Sequence, residues 1–253
     1  MADAAYGPLV SMLSERTKDF DRVPRQADDI AAFGQRAQAR CGPGPFKDFH
    51  HCPFVGLIGE EQLRVGCLLH PHAAGNLGVD FRGMSYYGGM ACRLYFCPAH
   101  SQLSAVVKTV VRESAVSWYE YGLIVSETRL LSEFFKALEE RLGSPLTASE
   151  ILNREECRQI VGSVLRLKID WPFRRRPDPG PCNYVFDDRL YPKPAVGYPP
   201  PTTTVSPYDI LFKELLSGFN TPAELALAEE MLTDLIENLA RGILAGRHAQ
   251  PLT

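Results

Sequence analysis

The stretch Ser101–Gly143, SQLSAVVKTVVRESAVSWYEYGLIVSETRLLSEFFKALEERLG, decides the fold class. Val106, Val107, Val110, Val111 and Ala115 recur at three- and four-residue intervals, the spacing of one buried helix face. From about Ser126 a second helix follows, with Leu130, Leu131, Phe134, Phe135, Leu138 and Leu142 as its apolar stripe and Gly143 as its stop. Between the two, Trp118, Tyr119, Tyr121, Leu123 and Ile124 read as buried anchors. Upstream, residues 9–40 are mainly helical in pattern. Ala27–Arg40 carries Ile30, Ala31, Phe33, Gly34 and Ala37 on one side and ends near Cys41, because Gly42-Pro-Gly-Pro45 cannot continue a helix. Downstream, Thr147-Ala-Ser-Glu150 is a capping box that predicts a third helix of roughly 20 residues. Thr221-Pro222-Ala-Glu224 opens a last one, amphipathic through Leu225, Leu227, Met231, Leu232, Leu235, Ile236 and Leu239. The expected fold is mainly α. The expected organisation is residues 1–145, holding a cysteine-rich segment and a helical hairpin, and residues 146–253, a helical C-terminal part packed with the first as one unit. The proline-rich connection 171–207 is expected to lie extended on the surface.

Composition narrows the function classes. Of 253 residues 45% are hydrophobic, and 27 basic side chains face 30 acidic ones, so the chain has no general attraction to nucleic acid or anionic lipid. No apolar run is long enough to span a bilayer. The opening MADAAYGPLV lacks a basic region followed by an apolar one, which argues against a secretory signal and for a cytoplasmic protein.

The cysteines depart from this ordinary background. Five of the seven fall in one window, Cys41-x10-Cys52-x14-Cys67-x24-Cys92-x4-Cys97, beside five of the six histidines: His50, His51, His70, His72 and His100. The window is dense in glycine and proline, which break helical and strand periodicity alike. Packing alone seldom holds such a segment in one structure. Reduced thiolates and imidazoles recruit Zn²⁺ and iron–sulfur clusters, and cytoplasmic thiols stay reduced, so metal ligation explains the cluster better than disulfides do. Cys157, on a helix, and Cys182, in the proline-rich connection, read as bystanders.

Cys52-Pro-Phe-Val, Gly66-Cys67-Leu-Leu-His70-Pro71 and Cys92-Arg93-Leu-Tyr-Phe-Cys97 together resemble the cysteine-rich family of zinc- or iron-chelating domains. The match covers roughly residues 40–100, and its closing Cys-Arg-x-x-x-Cys element agrees in spacing and in its arginine. The family's early C-x2-C-C motif is represented by Cys41 alone. The resemblance implies a metal held by Cys52, Cys67, Cys92 and Cys97, with Cys41 in reserve. The group would be Zn²⁺, or Fe as a [4Fe–4S] cluster. Four thiolates close a zinc site, which makes it structural, whereas a cluster implies electron transfer or sensing. No nucleotide or flavin fingerprint is present, which favours structural metal.

Other constellations are weaker. His70-Pro-His72 with Asp80 has the residue types of a hydrolytic metal site, but His70 serves equally well to close the turn after Cys67. Cys97 with His100 lacks an oriented third group, so no catalytic assignment is made. Arg174-Arg175-Arg176, preceded by Trp171 and Phe173, reads as a solvated loop or a docking patch for a protein partner rather than a nucleic-acid platform. An alternative reading is therefore a helical interaction module that docks through this patch or the proline-rich connection.

Overall fold

In the computed structural model, which describes residues 6–41, 51–175, 193–201 and 204–249, two compact units divide at Phe96 and Cys97. The helices of residues 101–142 share their core with those that follow. Val107, Val110, Leu131 and Phe134 belong to one buried cluster with Ile151, Val161, Leu232 and Leu239.

The first unit begins with α1 (Tyr6–Asp21) and α2 (Ala27–Cys41). Leu13, Thr17 and Phe20 are buried along one face of α1, and Asp28 and Asp29 complement the helix dipole in the first turn of α2. Between Val55 and Cys67 the chain forms an antiparallel pair, β1 (Val55–Ile58) and β2 (Arg64–Cys67), in the register Val55 to Cys67 and Leu57 to Val65. This hairpin was not foreseen, since each strand has only four residues and one of them is glycine. A single 3-10 turn (Arg82–Met84) and α3 (Gly88–Leu94) complete the unit.

Two glycines permit close approach here. A Cβ on Gly34 would stand 2.8 Å from the Phe54 ring, so the weakest helix former in α2 is what lets Phe54 close against it. A Cβ on Gly56 would meet Thr17 Oγ1 at 2.5 Å. Its absence lets the Thr17 hydroxyl accept from Leu57 N (2.8 Å) and donate to Leu57 O (3.0 Å), fastening β1 to α1. The core is an aromatic trio, with Phe20 to Phe33 centroids at 5.0 Å and Phe33 to Phe54 at 5.9 Å, surrounded by Val23, Ile30, Ala37, Leu68 and Leu69.

The second unit contains α4 (Ala99–Gln102), α5 (Ala105–Ser114), α6 (Trp118–Ile124), α7 (Thr128–Leu142), α8 (Ala148–Leu152), α9 (Glu155–Asp170), α10 (Asp209–Glu214) and α11 (Pro222–Ala249). The valine face of α5, the leucine–phenylalanine stripe of α7 and the caps at Thr147 and Thr221 stand as expected. The third helix differs. It breaks at Asn153-Arg154, where Arg154 turns to extended backbone and Glu155 and Glu156 open α9 with a new acidic first turn. Of the anchors at 118–124 only Ile124 is fully buried; Trp118 and Tyr119 are half-buried and Tyr121 is exposed. The mainly α fold is as expected, and the hairpin is the only sheet among the described residues.

The described part of the 171–207 connection is not a surface linker. Arg175 N donates to Leu216 O (2.9 Å), Gly218 N to Phe173 O (2.9 Å) and Phe219 N to Gly197 O (2.7 Å), so 173–175 and 196–198 flank 216–219. Trp171, Phe173, Tyr198, Phe212 and Phe219 pack around these bonds, and the Trp171 indole N–H donates to Ser217 Oγ (2.8 Å). Residues 176–192, with Cys182 and Arg176, lie outside the described part.

Candidate metal centre

Cys52 precedes β1 and Cys67 ends β2; both are half-buried and pack against the aromatic core of the first unit. The hairpin register, which sets Cys67 opposite Val55, brings the two thiols to one edge of that core. Cys92 comes from α3, its Sγ 3.1 Å from Ser85 Oγ. Burial pushes the Cys67 thiol above its ordinary value, and the nearby Cys52 and Cys92 add to the shift. Burial likewise raises Cys52, again with a contribution from Cys92. Cys52 and Cys67 of this unit thus both lie within electrostatic reach of Cys92. Backbone hydrogen bonds, from Phe54 to Cys52 and from Leu69 to Cys67, oppose the rise, with smaller help from Arg16 and Arg82, but burial prevails and both thiols stay above their ordinary value. Cys52, Cys67 and Cys92 take part in no disulfide.

A carboxylate sits nearby but is committed elsewhere. Asp80 accepts from Arg82 Nε (2.9 Å) and Nη2 (2.8 Å) and from Arg93 Nε (2.8 Å), and the Arg82 hydrogen bonds hold its carboxyl well below the usual range. Arg82 Nη1 also donates to Cys92 O (3.4 Å). Asp80 therefore acts as a brace for the turn and α3, which leaves the hydrolytic reading of His70, His72 and Asp80 without its acid. His70 closes the turn after Cys67: its N–H donates to Cys67 O (3.1 Å) and its Nδ1 accepts from His72 N (3.2 Å).

One organiser of this edge escaped the sequence reading. Asn76 is buried, and its amide donates to Leu68 O (2.8 Å) and His70 O (2.8 Å) while its oxygen accepts from Arg25 Nε (2.7 Å). Arg25 itself lies 4.3 Å over the Phe20 ring and donates to Phe20 O (2.9 Å) and Ala74 O (3.1 Å). Together they fix the backbone that follows Cys67. Asn76→Ala is expected to cost about 2–3 kcal/mol, because it strands two buried carbonyls and an arginine donor at once. Urea denaturation is the check, and a loss below about 0.5 kcal/mol would show that the clamp contributes little.

The remaining nominated residues fall elsewhere. Cys97 is the first residue of the second unit and packs, half-buried, against that unit's core. Cys41 ends α2; its side chain, like His50, lies outside the described part. Among the described residues no group of three or more His, Cys, Asp and Glu side chains is placed to hold a metal ion. Cys157 is buried in the second unit's core, as expected of a bystander. In the basic run, Arg174 Nη2 donates to Leu167 O (2.9 Å), and Arg175 lies so close to Gly197 and Gly218 that a Cβ on either would collide with it. Arg174 is thus engaged within the fold, whereas Arg175 runs over these glycines and is exposed. No helix among the described residues is long and apolar enough to cross a membrane.

No protein-family model matches the chain, and no similar curated protein or solved structure was found.

Proposed function

We propose that the chain is a metal-binding protein whose first unit supplies Cys52, Cys67 and Cys92 as thiolate ligands for Zn²⁺ or iron. The observation that carries the reading is that Cys52 and Cys67 pack against one small core, while Cys92, 40 residues from Cys52 in sequence, lies within electrostatic reach of both. The donor set suits borderline and soft metals, and a bound metal would hold the ligands as thiolates. Cys97 and Cys41 are the donors that the sequence spacing nominates for a fourth position. The thiols do not stand in a preformed cage, so binding is coupled to local folding and draws the three together, as metal-dependent segments do. When bound, zinc would supply folding free energy to a loop-rich segment, whereas an iron–sulfur cluster would supply an electron-transfer centre. Reduced thiols of this number suit a cytoplasmic setting.

The test is substitution. Cys52→Ser, Cys67→Ser and Cys92→Ser are each expected to lose bound metal after anaerobic purification, while Cys157→Ser keeps it. Cys97→Ser and Cys41→Ser report which, if either, completes the set. A colourless protein loaded with zinc would select the structural reading. Visible charge-transfer absorption bleached by dithionite would select the iron–sulfur redox or sensor reading instead. Equal metal retention in the three serine variants and in Cys157→Ser would remove the proposal.

A further inference from the structure

We infer that residues 193–201 form a charge-locked strap, fastened to the second unit by Lys193 between Glu127 and Glu214 and able to detach as one piece when those carboxylates lose their charge. The lock is buried. The side chains of Lys193, Glu127 and Glu214 are 9%, 8% and 8% exposed. Lys193 Nζ donates to Glu127, to Glu214 Oε2 (2.5 Å) and to Glu214 O (3.2 Å). It thereby ties the strap to the start of α7 and the end of α10.

The charges around the lock make it conditional. Glu127, at the N-terminus of α7, also accepts from Lys168 of α9, and it feels Arg174 from the segment after α9. Arg129 of α7 lies 3.9 Å from Glu214. Two carboxylates therefore face Lys168, Lys193, Arg174 and Arg129. Protonating the carboxylates removes every counter-charge in this set and leaves two ammonium groups in a poorly hydrated site, a state that strongly favours release. Among the described residues, the other fastenings are the packing of Val196 and Tyr198 on the core, the buried Pro199 and a few hydrogen bonds. Gly197 N donates to Ser217 O (3.3 Å), Gly197 O accepts from Phe219 N (2.7 Å), and the Tyr198 hydroxyl donates to Asp209 Oδ1 (2.7 Å). Asp209 and Glu229 are the acidic groups facing Tyr198. The strap has no internal helix, and four of its nine residues are prolines without an N–H, so few backbone bonds resist its departure.

Release would uncover the edge of the aromatic cluster, because Tyr198 lies 6.3 Å from Phe219, beside the Trp171–Ser217 bond. Trp171 is one of only two tryptophans, so Trp118→Phe leaves it as the sole reporter.

The experiment follows amide exchange of Gly197 and Phe219, corrected for intrinsic rates, together with Trp171 emission in the Trp118→Phe chain from pH 7 to about 3.5. Protection at both amides is expected to fall about tenfold or more while amides in the middle of α7, α9 and α11 keep theirs. Glu127→Gln/Glu214→Gln is expected to show the released state already at pH 7. Lys193→Met, which removes the charge and keeps an apolar stem, is expected to flatten the pH response. Loss of protection only in step with the helices, or an unchanged pH profile in Lys193→Met, would overturn the strap. If the double variant does not fold, the pH series on the parent and on Lys193→Met decides alone.

Discussion

Phe20→Ala is expected to destabilise the first unit by about 3–5 kcal/mol, the usual cost of removing a fully buried phenylalanine. Phe20 is 1% exposed and touches everything that matters in its unit: the Phe33 and Phe54 rings, and the Arg25 guanidinium over its face. The buried cluster around it is small, and a small core has little reserve. Cys52 and Cys67 pack on this cluster, so their thiols should become far more reactive toward an alkylating reagent in the variant. Mass spectrometry of labelled peptides reads this directly, with Cys157 in the other unit as the internal control. Unchanged labelling at Cys52 and Cys67 would mean that the thiols are not held by this core.

Glu127→Ala is the counterpart in the second unit, with an expected cost of about 3–5 kcal/mol. The side chain is buried and accepts from both Lys168 and Lys193, so its removal leaves two poorly hydrated ammonium groups short of a partner. Glu127→Leu/Lys168→Met should cost well under the single variant, since it removes charge and counter-charge together and leaves Lys193 paired with Glu214. The effect also has a pH signature. Burial by itself would raise the Glu127 carboxyl, but Lys168 and Lys193 outweigh burial and hold it below its ordinary value. A lowered native value means that the contribution is fully present above the ordinary carboxylate range, about 4.3, and is lost as pH falls through the native value. Urea midpoints of parent and Glu127→Ala should therefore differ at neutral pH and converge in acid. Equal midpoints at neutral pH would contradict the account.

What was legible in the sequence depended on range. The helices at 105–114, 128–142 and 222–249 announce themselves through apolar periodicity, and the last two also through Gly143 and Thr221. The hairpin did not, because four-residue strands with internal glycines carry no readable alternation. α10 was hidden by the prolines before it. The thiol cluster was visible as a local density of cysteines. The parts that hold its edge in place were not: Arg25 and Asn76 are 51 residues apart, and neither is an unusual residue in its own segment. Lys193 is one charge in a proline-rich stretch, and only the fold sets it between Glu127 and Glu214. The arginine run carried no sign that Arg174 is fastened inward to Leu167 O, while Arg175 is exposed.

The central claim, that the thiols of the first unit bind metal, is tested most directly by metal content. The full chain, purified anaerobically without added chelator, should carry about one equivalent of zinc, or the iron of one cluster. Cys52→Ser/Cys67→Ser/Cys92→Ser should carry less than about a tenth of that. Metal below about half an equivalent in the parent, or equal content in parent and triple variant, would contradict the account.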